Sequence, residues 1–415
     1  MTDPVPPPLP LRTKLASTVS RGAAALSRAT GRGDGSVIGG RIGLMIDPNL
    51  LAHLAAGRKV ALISGTNGKT TTTRLTTAAI GVLGDVATNS YGANMPTGHT
   101  SALAKAGRTP YAVLEVDEKF LARVLAATSP LVVGMLNLSR DQLDRFSEVA
   151  MMAQLWRDAL VAHPAVHVVA NADDPMVAWA AQHAPEVTWV AAGQRWHDDS
   201  WVCPECGAHI ERAGESDWWC TGCTLRRPSP QWTIKDGLVV DPAGTAHEVS
   251  LQLPGRVNLA NAATALAVAS VFGVPVEAAL PRLAQVASVA GRYATVVRDG
   301  RTIRLLLAKN PAGWLEAFDM AEPAPTLLSI NARDPDGLDT SWLFDVDFSP
   351  VRGRDVLITG DRAYDLAVRL EVNGVAFRHV RSFAEGVASV PPGRVEVIAN
   401  YTAFQDIRAE LDRVN

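Results

Sequence analysis

A glycine-rich segment that begins at Gly65 carries residue types that bind phosphate. The apolar run VALIS, residues 60–64, is followed by Gly-Thr-Asn-Gly-Lys-Thr and then by three more threonines. The backbone N–H groups of such a loop surround phosphate oxygens at a helix N-terminus. The lysine of this pattern reaches the terminal phosphates of a nucleotide, and the hydroxyl of the next residue binds Mg²⁺. We therefore predict a nucleotide site formed by Gly65, Thr66, Asn67, Gly68, Lys69, Thr70 and Thr71.

The spacing inside this segment is shorter than in the usual P-loop, whose pattern is G-x-x-x-x-G-K-[ST]. Here only Thr66 and Asn67 stand between Gly65 and Gly68. The surroundings still have the order that a phosphate loop requires. A strand pattern precedes the loop, and the helical pattern TTTTRLTTAAIGVLG, residues 70–84, follows it.

A carboxylate is also needed, because magnesium on nucleotide phosphates is usually held by one or two acidic side chains. The run YAVLEVDE, residues 111–118, ends with Glu115, Asp117 and Glu118. Alternation along a strand places Glu115 and Asp117 on one side, and Glu115 is nearer the apolar part. We predict that Glu115 and Thr70 bind magnesium and that Lys69 and Glu115 are catalytic. The alternative is a cluster of solvated acids at a strand end.

The four cysteines of the chain are paired in the pattern of a metal site. Cys203 and Cys206 are separated by two residues, as are Cys220 and Cys223, and thirteen residues lie between the pairs. Two such turns complete a tetrahedral zinc site without an open position, so we predict structural Zn²⁺ with these four ligands. A redox CxxC pair is the rival interpretation. If all four bind zinc, none is left as a nucleophile.

These residues must be positioned by an α/β fold. Between residues 44 and 295, short β-rich runs alternate with helical patterns, which is typical of a parallel sheet. Ligands of such sheets bind beyond the carboxyl ends of the strands. Polar residues stand at that edge of four predicted strands, at Ser64, Glu115, Asn137 and Asn171.

The remaining sections differ in composition. Residues 1–43 are Pro-rich and then basic, whereas residues 196–232 contain every cysteine and five of the ten tryptophans. Residues 296–415 contain three more apolar runs, TLLSIN, DVLITG and VEVIAN. The predicted architecture is a parallel-sheet nucleotide-binding domain with an inserted zinc ribbon, followed by a smaller C-terminal Rossmann-like α/β domain.

Composition excludes several classes of protein. With 39 basic and 42 acidic residues the net charge is −3, so no nucleic-acid partner is expected. The N-terminus lacks the apolar core of a signal peptide, and the few cysteines favour the cytosol. Residues 11–33 carry five basic residues and no acid. This run is either a solvated first helix or a weak contact with an anionic membrane surface.

Several motifs resemble those of the Mur ligase family, the ATP-dependent amide-forming enzymes of peptidoglycan synthesis. Besides the short-spaced loop, the similar segments are NLSRDQLDRF (137–146), NADDP (171–175), LPGRVNLANAATA (253–265) and GR (291–292). The resemblance implies ATP and Mg²⁺ as cofactors and an acyl phosphate intermediate. It also implies that Asn261 and Asn258 lie by the adenine, where the alternative is helix capping. Arg292 would contact phosphate, or else be an ordinary surface arginine.

Three differences from the usual pattern of this family indicate which of its branches the chain resembles. Too little chain precedes Gly65 for the family's UDP-binding domain, Gln142 stands where the family has histidine, and residues 141–164 contain no lysine for carbamylation. With the cysteine insert, AKNPAGW (308–314) and DGLDTSWLFDVDF (336–348), the chain resembles one branch, the synthetase subunits of lipid II isoglutaminyl synthase. Leu338 departs from that branch, which usually has arginine there.

This branch amidates the α-carboxylate of D-glutamate in the stem peptide of lipid II, at the inner face of the membrane. The resemblance implies a partner, a class I glutaminase that supplies ammonia from glutamine, and a heterodimer. It also implies that Asp339 is catalytic, as the acid that orients the histidine of the glutaminase. From the residues alone, Asp336, Asp339 and Asp345 are equivalent candidates, and the segment also reads as an Asp/Gly turn.

Two other functions compete with this one. A folylpolyglutamate-synthase-like ligase shares the loop and lacks the UDP-binding domain, but the four-cysteine insert and DGLDTSW argue against it. A non-enzymatic ATP-binding scaffold would explain the missing histidine and lysine, whereas the retained Lys69, Thr70 and Glu115 argue for catalysis.

Overall fold

The structure is a computed structural model, and it describes residues 6–30, 35–89, 92–140, 149–214, 217–286 and 293–413. Two compact units are distinguished by their internal contacts. The first contains residues 1–138, 149–253 and 257–287, and the second contains residues 139–148, 254–256 and 288–415.

The first unit is built on a six-stranded sheet in which every neighbouring pair is parallel, with the order β2-β3-β1-β4-β5-β6. Its strands are β1 Lys59–Ser64, β2 Val86–Thr88, β3 Tyr111–Glu115, β4 Val132–Met135, β5 His167–Asn171 and β6 Val187–Val190. The central strands are nearly continuous apolar runs because both faces of the sheet are covered. Along β1, Val60 and Leu62 join the core on one face, while Ala61 and Ile63 join the core on the other.

Helices cover both faces of this sheet. They are α1 Leu11–Ala29, α2 Ser36–Ile46, α3 Leu50–Ala55, α4 Lys69–Ile80, α5 Pro96–Lys105, α6 Leu121–Thr128, α7 Val149–Ala162, α8 Pro175–Ala181, α9 Arg256–Val271 and α10 Val276–Leu283, with a 3-10 turn at Glu118–Phe120. Trp156 of α7 is fully buried in one core, and Leu75 of α4 and Leu266 of α9 are buried in the other.

Two small antiparallel sheets follow β6. The hairpin of β7 Ile210–Ala213 and β8 Asp217–Cys220 lies inside the cysteine-rich insert. The second sheet has the order β11-β10-β9 and consists of β9 Thr233–Lys235, β10 Leu238–Val240 and β11 Ala246–His247.

The second unit also has a six-stranded sheet, with the order β12-β13-β17-β14-β15-β16. Only the β12–β13 pair of this sheet is antiparallel. The strands are β12 Tyr293–Arg298, β13 Arg301–Leu307, β14 Thr326–Ser329, β15 Val356–Thr359, β16 Phe377–His379 and β17 Gly393–Ala399. Its helices are α11 Pro311–Met320, α12 Ala363–Val372, α13 Phe383–Ala388 and α14 Tyr401–Asp412, with 3-10 turns at Ser341–Asp345 and Ser349–Val351.

The predicted fold class is confirmed. The four predicted strands that lead to Ser64, Glu115, Asn137 and Asn171 form β1, β3, β4 and β5, and the three runs of the last section form β14, β15 and β17. Residues 262–280, which are rich in alanine, lie within α9, α10 and the turn between them. Among the described helices, none has the length and apolar content needed to cross a bilayer.

Candidate functional site

The predicted phosphate loop connects the end of β1 to the start of α4. Gly65 has φ +148° and Gly68 has φ +81°, and both values lie in the region that favours glycine. A Cβ atom on Gly65 would lie 2.8 Å from Cβ of Leu136, and one on Gly68 would lie 2.7 Å from Oδ1 of Asn261. Both glycines are therefore required by backbone conformation and by close neighbours.

Asn137, which follows β4, holds the loop in place. Its carbonyl accepts from the N–H of Thr66 at 2.9 Å, and its Oδ1 accepts from the N–H of Asn67 at 2.8 Å. Its Nδ2 donates to the carbonyl of Asn67 at 3.1 Å. The first intrahelical bond of α4 runs from the N–H of Thr72 to the carbonyl of Gly68. The first N–H groups of an α-helix have no intrahelical acceptor, so the start of α4 is suited to binding an anion.

Lys69 is 7% exposed, and its ammonium group points back into the loop. Nζ donates to the carbonyls of Gly65 at 2.5 Å and Thr66 at 3.1 Å and to Oε1 of Glu118 at 3.1 Å. The ammonium is thus held at the loop by one carboxylate and two carbonyls. Thr70, the predicted magnesium ligand next to it, is half-buried at the start of α4.

Glu115, the other predicted magnesium ligand, is the last residue of β3 and is 4% exposed. Its backbone is fixed by two side chains. Asn89 accepts from its N–H at 2.8 Å and donates to its carbonyl at 2.9 Å, and Nε2 of His99 donates to the same carbonyl at 2.7 Å. Asp117 instead accepts from the N–H of Lys119 at the start of a 3-10 turn.

The two asparagines predicted to lie by the adenine are inside α9. Oδ1 of Asn261 accepts from the hydroxyl of Thr72 at 3.1 Å, next to Gly68, and Nδ2 of Asn261 lies 3.3 Å from Oδ1 of Asn258. The side chain of Asn261 therefore contacts the helix that follows the phosphate loop. The adenine contact of both residues stays a prediction.

Two aspartates of the NADDP segment make contacts that stabilise the fold. Asp174 is the N-cap of α8, and one of its carboxylate oxygens also accepts from the N–H of Leu138 at 2.9 Å. Complete burial raises the pKa of Asp174 to about 6. Asp173 pairs with Arg227 of the insert at 2.6 Å. Burial raises the pKa of Asp173 above its ordinary value, although the ion pair opposes this shift.

The four cysteines converge in one cluster. All four Sγ atoms lie within 4.8 Å of one another, with 3.7 Å between Cys203 and Cys223 and 3.4 Å between Cys206 and Cys220. Four thiolates around one zinc ion would lie about 3.8 Å apart, given Zn–S bonds of about 2.3 Å. The described cluster therefore fits a tetrahedral metal site.

In the second unit, the structure distinguishes the three acids of the segment 336–345. Asp336 accepts from the N–H and the hydroxyl of Thr402, and Asp345 pairs with Arg140 at 3.2 Å. Asp339 is exposed, and its Oδ1 accepts from the N–H of Ser341 at 2.8 Å. This hydrogen bond lowers the pKa of Asp339 below its ordinary value, so the side chain is a carboxylate at neutral pH.

The structure brings together Lys69, Glu118 and the loop carbonyls, and it links Asn261 to Thr72. Arg292 and Gln142 lie outside the described residues. The sequence placed Glu118 and Asn137 at strand ends without assigning either a role, and it did not single out His99. The acidic end of YAVLEVDE and the strand-end position of Asn137 were the available signals. Nothing in the sequence marks His99.

Two protein families match this chain. Residues 63–269 match the Mur ligase middle domain. Residues 307–404 match the MurT ligase C-terminal domain. The first match contains the phosphate loop, Glu115 and the cysteine cluster, and the second contains Asp339.

Relatives are similar over nearly the whole chain. The lipid II isoglutaminyl synthase (glutamine-hydrolyzing) subunit MurT of Streptococcus pneumoniae is 29% identical, covering 91% of this chain and 93% of that protein. The subunit of the same name from Staphylococcus aureus is 28% identical, covering 93% and 95%. A pseudomurein peptide ligase type C from Methanothermus fervidus has the same fold, with a TM-score of 0.65 and 18% identity, covering 86% of this chain and 79% of that one. The chain belongs to the MurT branch of the Mur ligase family.

Proposed function

We propose that this chain is the synthetase subunit that amidates lipid II. ATP phosphorylates the α-carboxylate of D-glutamate in the stem peptide, which gives an acyl phosphate and ADP. Ammonia then attacks the carbonyl carbon, the C–O bond to phosphate breaks, and D-isoglutamine and phosphate are released. The ammonia comes from glutamine, hydrolysed by a separate class I glutaminase subunit.

The observation that carries this proposal is the near-full-length similarity to two subunits named for lipid II isoglutaminyl synthase. The geometry of the loop supports it. One unit contains three features of such a site: a turn that depends on two glycines, a buried lysine, and a buried glutamate at a strand end. This arrangement suits phosphoryl transfer, in which positioning and charge stabilisation supply most of the rate.

The residues of the loop have separate roles in this reaction. The N–H groups at the start of α4 bind the β- and γ-phosphates of ATP, and Lys69 neutralises charge on the γ-phosphate as it is transferred. Thr70 and Glu115 are the residues that would hold Mg²⁺, which supplies further charge neutralisation at the phosphates when it is bound. Asn89 and His99 fix the backbone of Glu115 and so restrict where its carboxylate lies.

A partner chain is needed to release ammonia from glutamine. A glutaminase of this class requires a cysteine thiolate, and all four cysteines of this chain lie in the metal cluster. The nucleophile is therefore assigned to another chain. We assign Asp339 as the acid that contacts that chain, because it is exposed, whereas Asp336 and Asp345 bond to residues outside the segment 336–345. Its carboxylate orients an imidazole of the partner.

The direct test is mass spectrometry of lipid II after incubation with this chain, Mg-ATP and ammonium chloride. A carboxyl-to-carboxamide change on D-glutamate is expected, and it is expected with glutamine only when the glutaminase is added. If lipid II stays unchanged with the glutaminase, glutamine and ATP all present, the proposed substrate is wrong.

A variant tests the phosphate loop. In Lys69→Ala we expect ATP turnover to fall by about a hundred-fold or more, because charge on the transferred phosphate is no longer neutralised. Exposed Lys105 of α5 offers a matched control, and Lys105→Ala should retain full turnover. Thermal unfolding would establish that both variants are folded. Near-normal turnover in Lys69→Ala would remove the loop from the active site.

A further inference from the structure

Helix α1 packs on the first unit with a face of small residues. Its buried positions are Thr13, Ala16, Ser17, Ser20, Ala24 and Ser27. The neighbouring helix α2 meets this face with glycines, and a Cβ atom on Gly39 or Gly43 would lie about 3 Å from Ala24 or Ser20. The helices are therefore packed closely through small side chains, and α1 contributes no leucine to this contact.

The leucines of α1 lie on the opposite face. Leu11 is 85% exposed, Leu15 is 59% exposed and Leu26 is 66% exposed. At about 100° per residue, these side chains fall within about 60° of each other around the helix axis, roughly opposite the buried face. They span about 22 Å along the helix. Single exposed leucines are common on protein surfaces, whereas apolar side chains that share one exposed face are typical of an interaction surface.

Basic residues flank this leucine stripe. Lys14, Arg21 and Arg28 recur every seventh residue and are exposed along one side of it. On the other side Arg12 is exposed, and its Nε donates to the carbonyl of Ile46. Residues 11–29 contain no aspartate or glutamate. The outward face is thus uncharged along its centre, with leucines towards its two ends, and positive along its edges.

We propose that α1 is a membrane-surface helix that docks the first unit on an anionic lipid bilayer. The leucine stripe enters the boundary between headgroups and acyl chains, while the basic side chains extend their charges to lipid phosphates at its edges. A helix in this position lies in the plane of the membrane and does not cross it. The inference rests on the geometry of α1 and not on the proposed function.

The charge distribution favours a bilayer over an acidic protein as the occupant. An anionic lipid surface offers negative charge on every side of an inserted stripe. The basic residues of α1 stand on both sides of the leucines, as an interfacial helix requires.

The test is co-sedimentation of the purified full chain with two kinds of vesicles, one of phosphatidylcholine alone and one also containing phosphatidylglycerol. We expect binding to the anionic vesicles that weakens as salt is added. The double variant Lys14→Gln/Arg21→Gln should bind about thirty-fold more weakly, and Leu15→Ser/Leu26→Ser about ten-fold more weakly. All four positions are exposed, and thermal unfolding would check that the variants are folded.

Matched controls lie elsewhere on the same unit. Arg123 of α6 and Leu155 of α7 are also exposed, so Arg123→Gln and Leu155→Ser should leave vesicle binding unchanged. The proposal is overturned if the unsubstituted chain ignores anionic vesicles or if both α1 variants bind normally. If Lys14→Gln/Arg21→Gln weakens vesicle binding and Leu15→Ser/Leu26→Ser does not, the leucines do not insert into the bilayer. Self-association that Leu15→Ser/Leu26→Ser abolishes, without vesicle binding, would make the stripe a protein interface instead.

Discussion

Glu115 and Glu118 lie near the carboxyl end of β3 in different surroundings. Glu115 is 4% exposed, and its backbone is held by Asn89 and His99. Glu118 reaches across to the loop lysine, 3.1 Å from Nζ of Lys69. A buried acid on a fixed backbone suits a metal ligand, whereas an acid paired with the lysine suits control of where the ammonium lies.

These surroundings predict different effects of removing each charge. In Glu115→Gln we expect the Mg²⁺ concentration for half-maximal ATP turnover to rise by about ten-fold or more, because a metal ligand is lost. In Glu118→Gln this concentration should stay within about two-fold, while the KM for ATP changes because Lys69 loses its anionic partner. Magnesium titrations of both variants provide the measurement. The reverse pattern would assign the metal to Glu118.

His99 is fully buried beside Glu115, with Nε2 donating to the carbonyl of that residue. Its Nδ1 has no hydrogen-bond partner among the described residues. Burial lowers the pKa of His99 to about 4. Because the ordinary value is 6.5, the unfolded chain binds a proton at this residue as pH falls below 6.5, and the folded chain does not until about pH 4.

This pKa difference makes the contribution of His99 to stability depend on pH. It is fully present above pH 6.5 and is lost as pH falls towards 4. Glutamine at this position keeps a hydrogen-bond donor and cannot titrate. Between pH 7 and pH 4.5 the free energy of unfolding should therefore decrease in both proteins, but by about 2 kcal/mol less in His99→Gln than in the natural sequence. Urea denaturation at the two pH values measures this difference.

An exposed histidine serves as the control for this experiment. His183 follows α8 and is exposed, so His183→Gln should show the same pH dependence as the natural sequence. Identical pH dependence in His99→Gln would mean that His99 is protonated in the folded protein at pH 4.5.

At the scale of elements, the cysteine-rich insert is a small module anchored to a large sheet. Two turns bring the cysteine pairs together, and the β7–β8 hairpin joins them. Trp218 of β8 is buried and donates to the carbonyl of Ala172 just after β5, and Arg227 pairs with Asp173 there. The insert has few buried apolar residues of its own, so bound metal would supply much of its folding energy.

The cysteine cluster predicts a metal content that can be measured. We expect about one zinc ion per chain in the natural protein and a clear loss of zinc in Cys220→Ser, because three thiolates bind it more weakly than four. Elemental analysis after gel filtration measures the ratio, and Thr221→Ser, at an exposed neighbour, is the control. A metal-free and well-folded natural protein would contradict the zinc assignment.

At the scale of the whole molecule, the two units are assigned different parts of the proposed reaction. The first contains the phosphate loop and the cysteine cluster, and the second contains Asp339. This division predicts that ammonia supply and carboxylate activation can be separated by substitution. In Asp339→Asn we expect amidation driven by glutamine to fall by about a hundred-fold or more, while amidation driven by ammonium chloride persists.

The second unit offers a matched control for this variant. Asp347 is exposed and accepts from the N–H of Ser349 at 2.8 Å, the same local hydrogen bond that Asp339 makes with Ser341. Asp347→Asn should therefore remove an equivalent charge, leave an equivalent acceptor in place and keep both activities. Equal loss of both activities in Asp339→Asn would assign Asp339 to the synthetase site.

The sequence by itself determined the fold class, the family and the residues that can carry charge or metal. Apolar runs that alternate with helical patterns specify a parallel sheet, and the order strand, Gly65-to-Thr70 loop, helix specifies a phosphate site, because these signals are local. The cysteine spacing likewise predicted the cluster that the structure brings together. The roles of the predicted site residues, Arg292 among them, stay predictions.

Only the tertiary structure decided which groups meet across long stretches of chain. The contacts of Lys69 with Glu118, of Thr72 with Asn261 and of Glu115 with His99 join residues from different elements. It also showed that Asp336 and Asp345 bond to residues outside the segment 336–345 while Asp339 is exposed, and that the leucines of α1 face outward. Helix periodicity states which residues share a face, but only the packing of a face against its neighbours decides whether that face is buried.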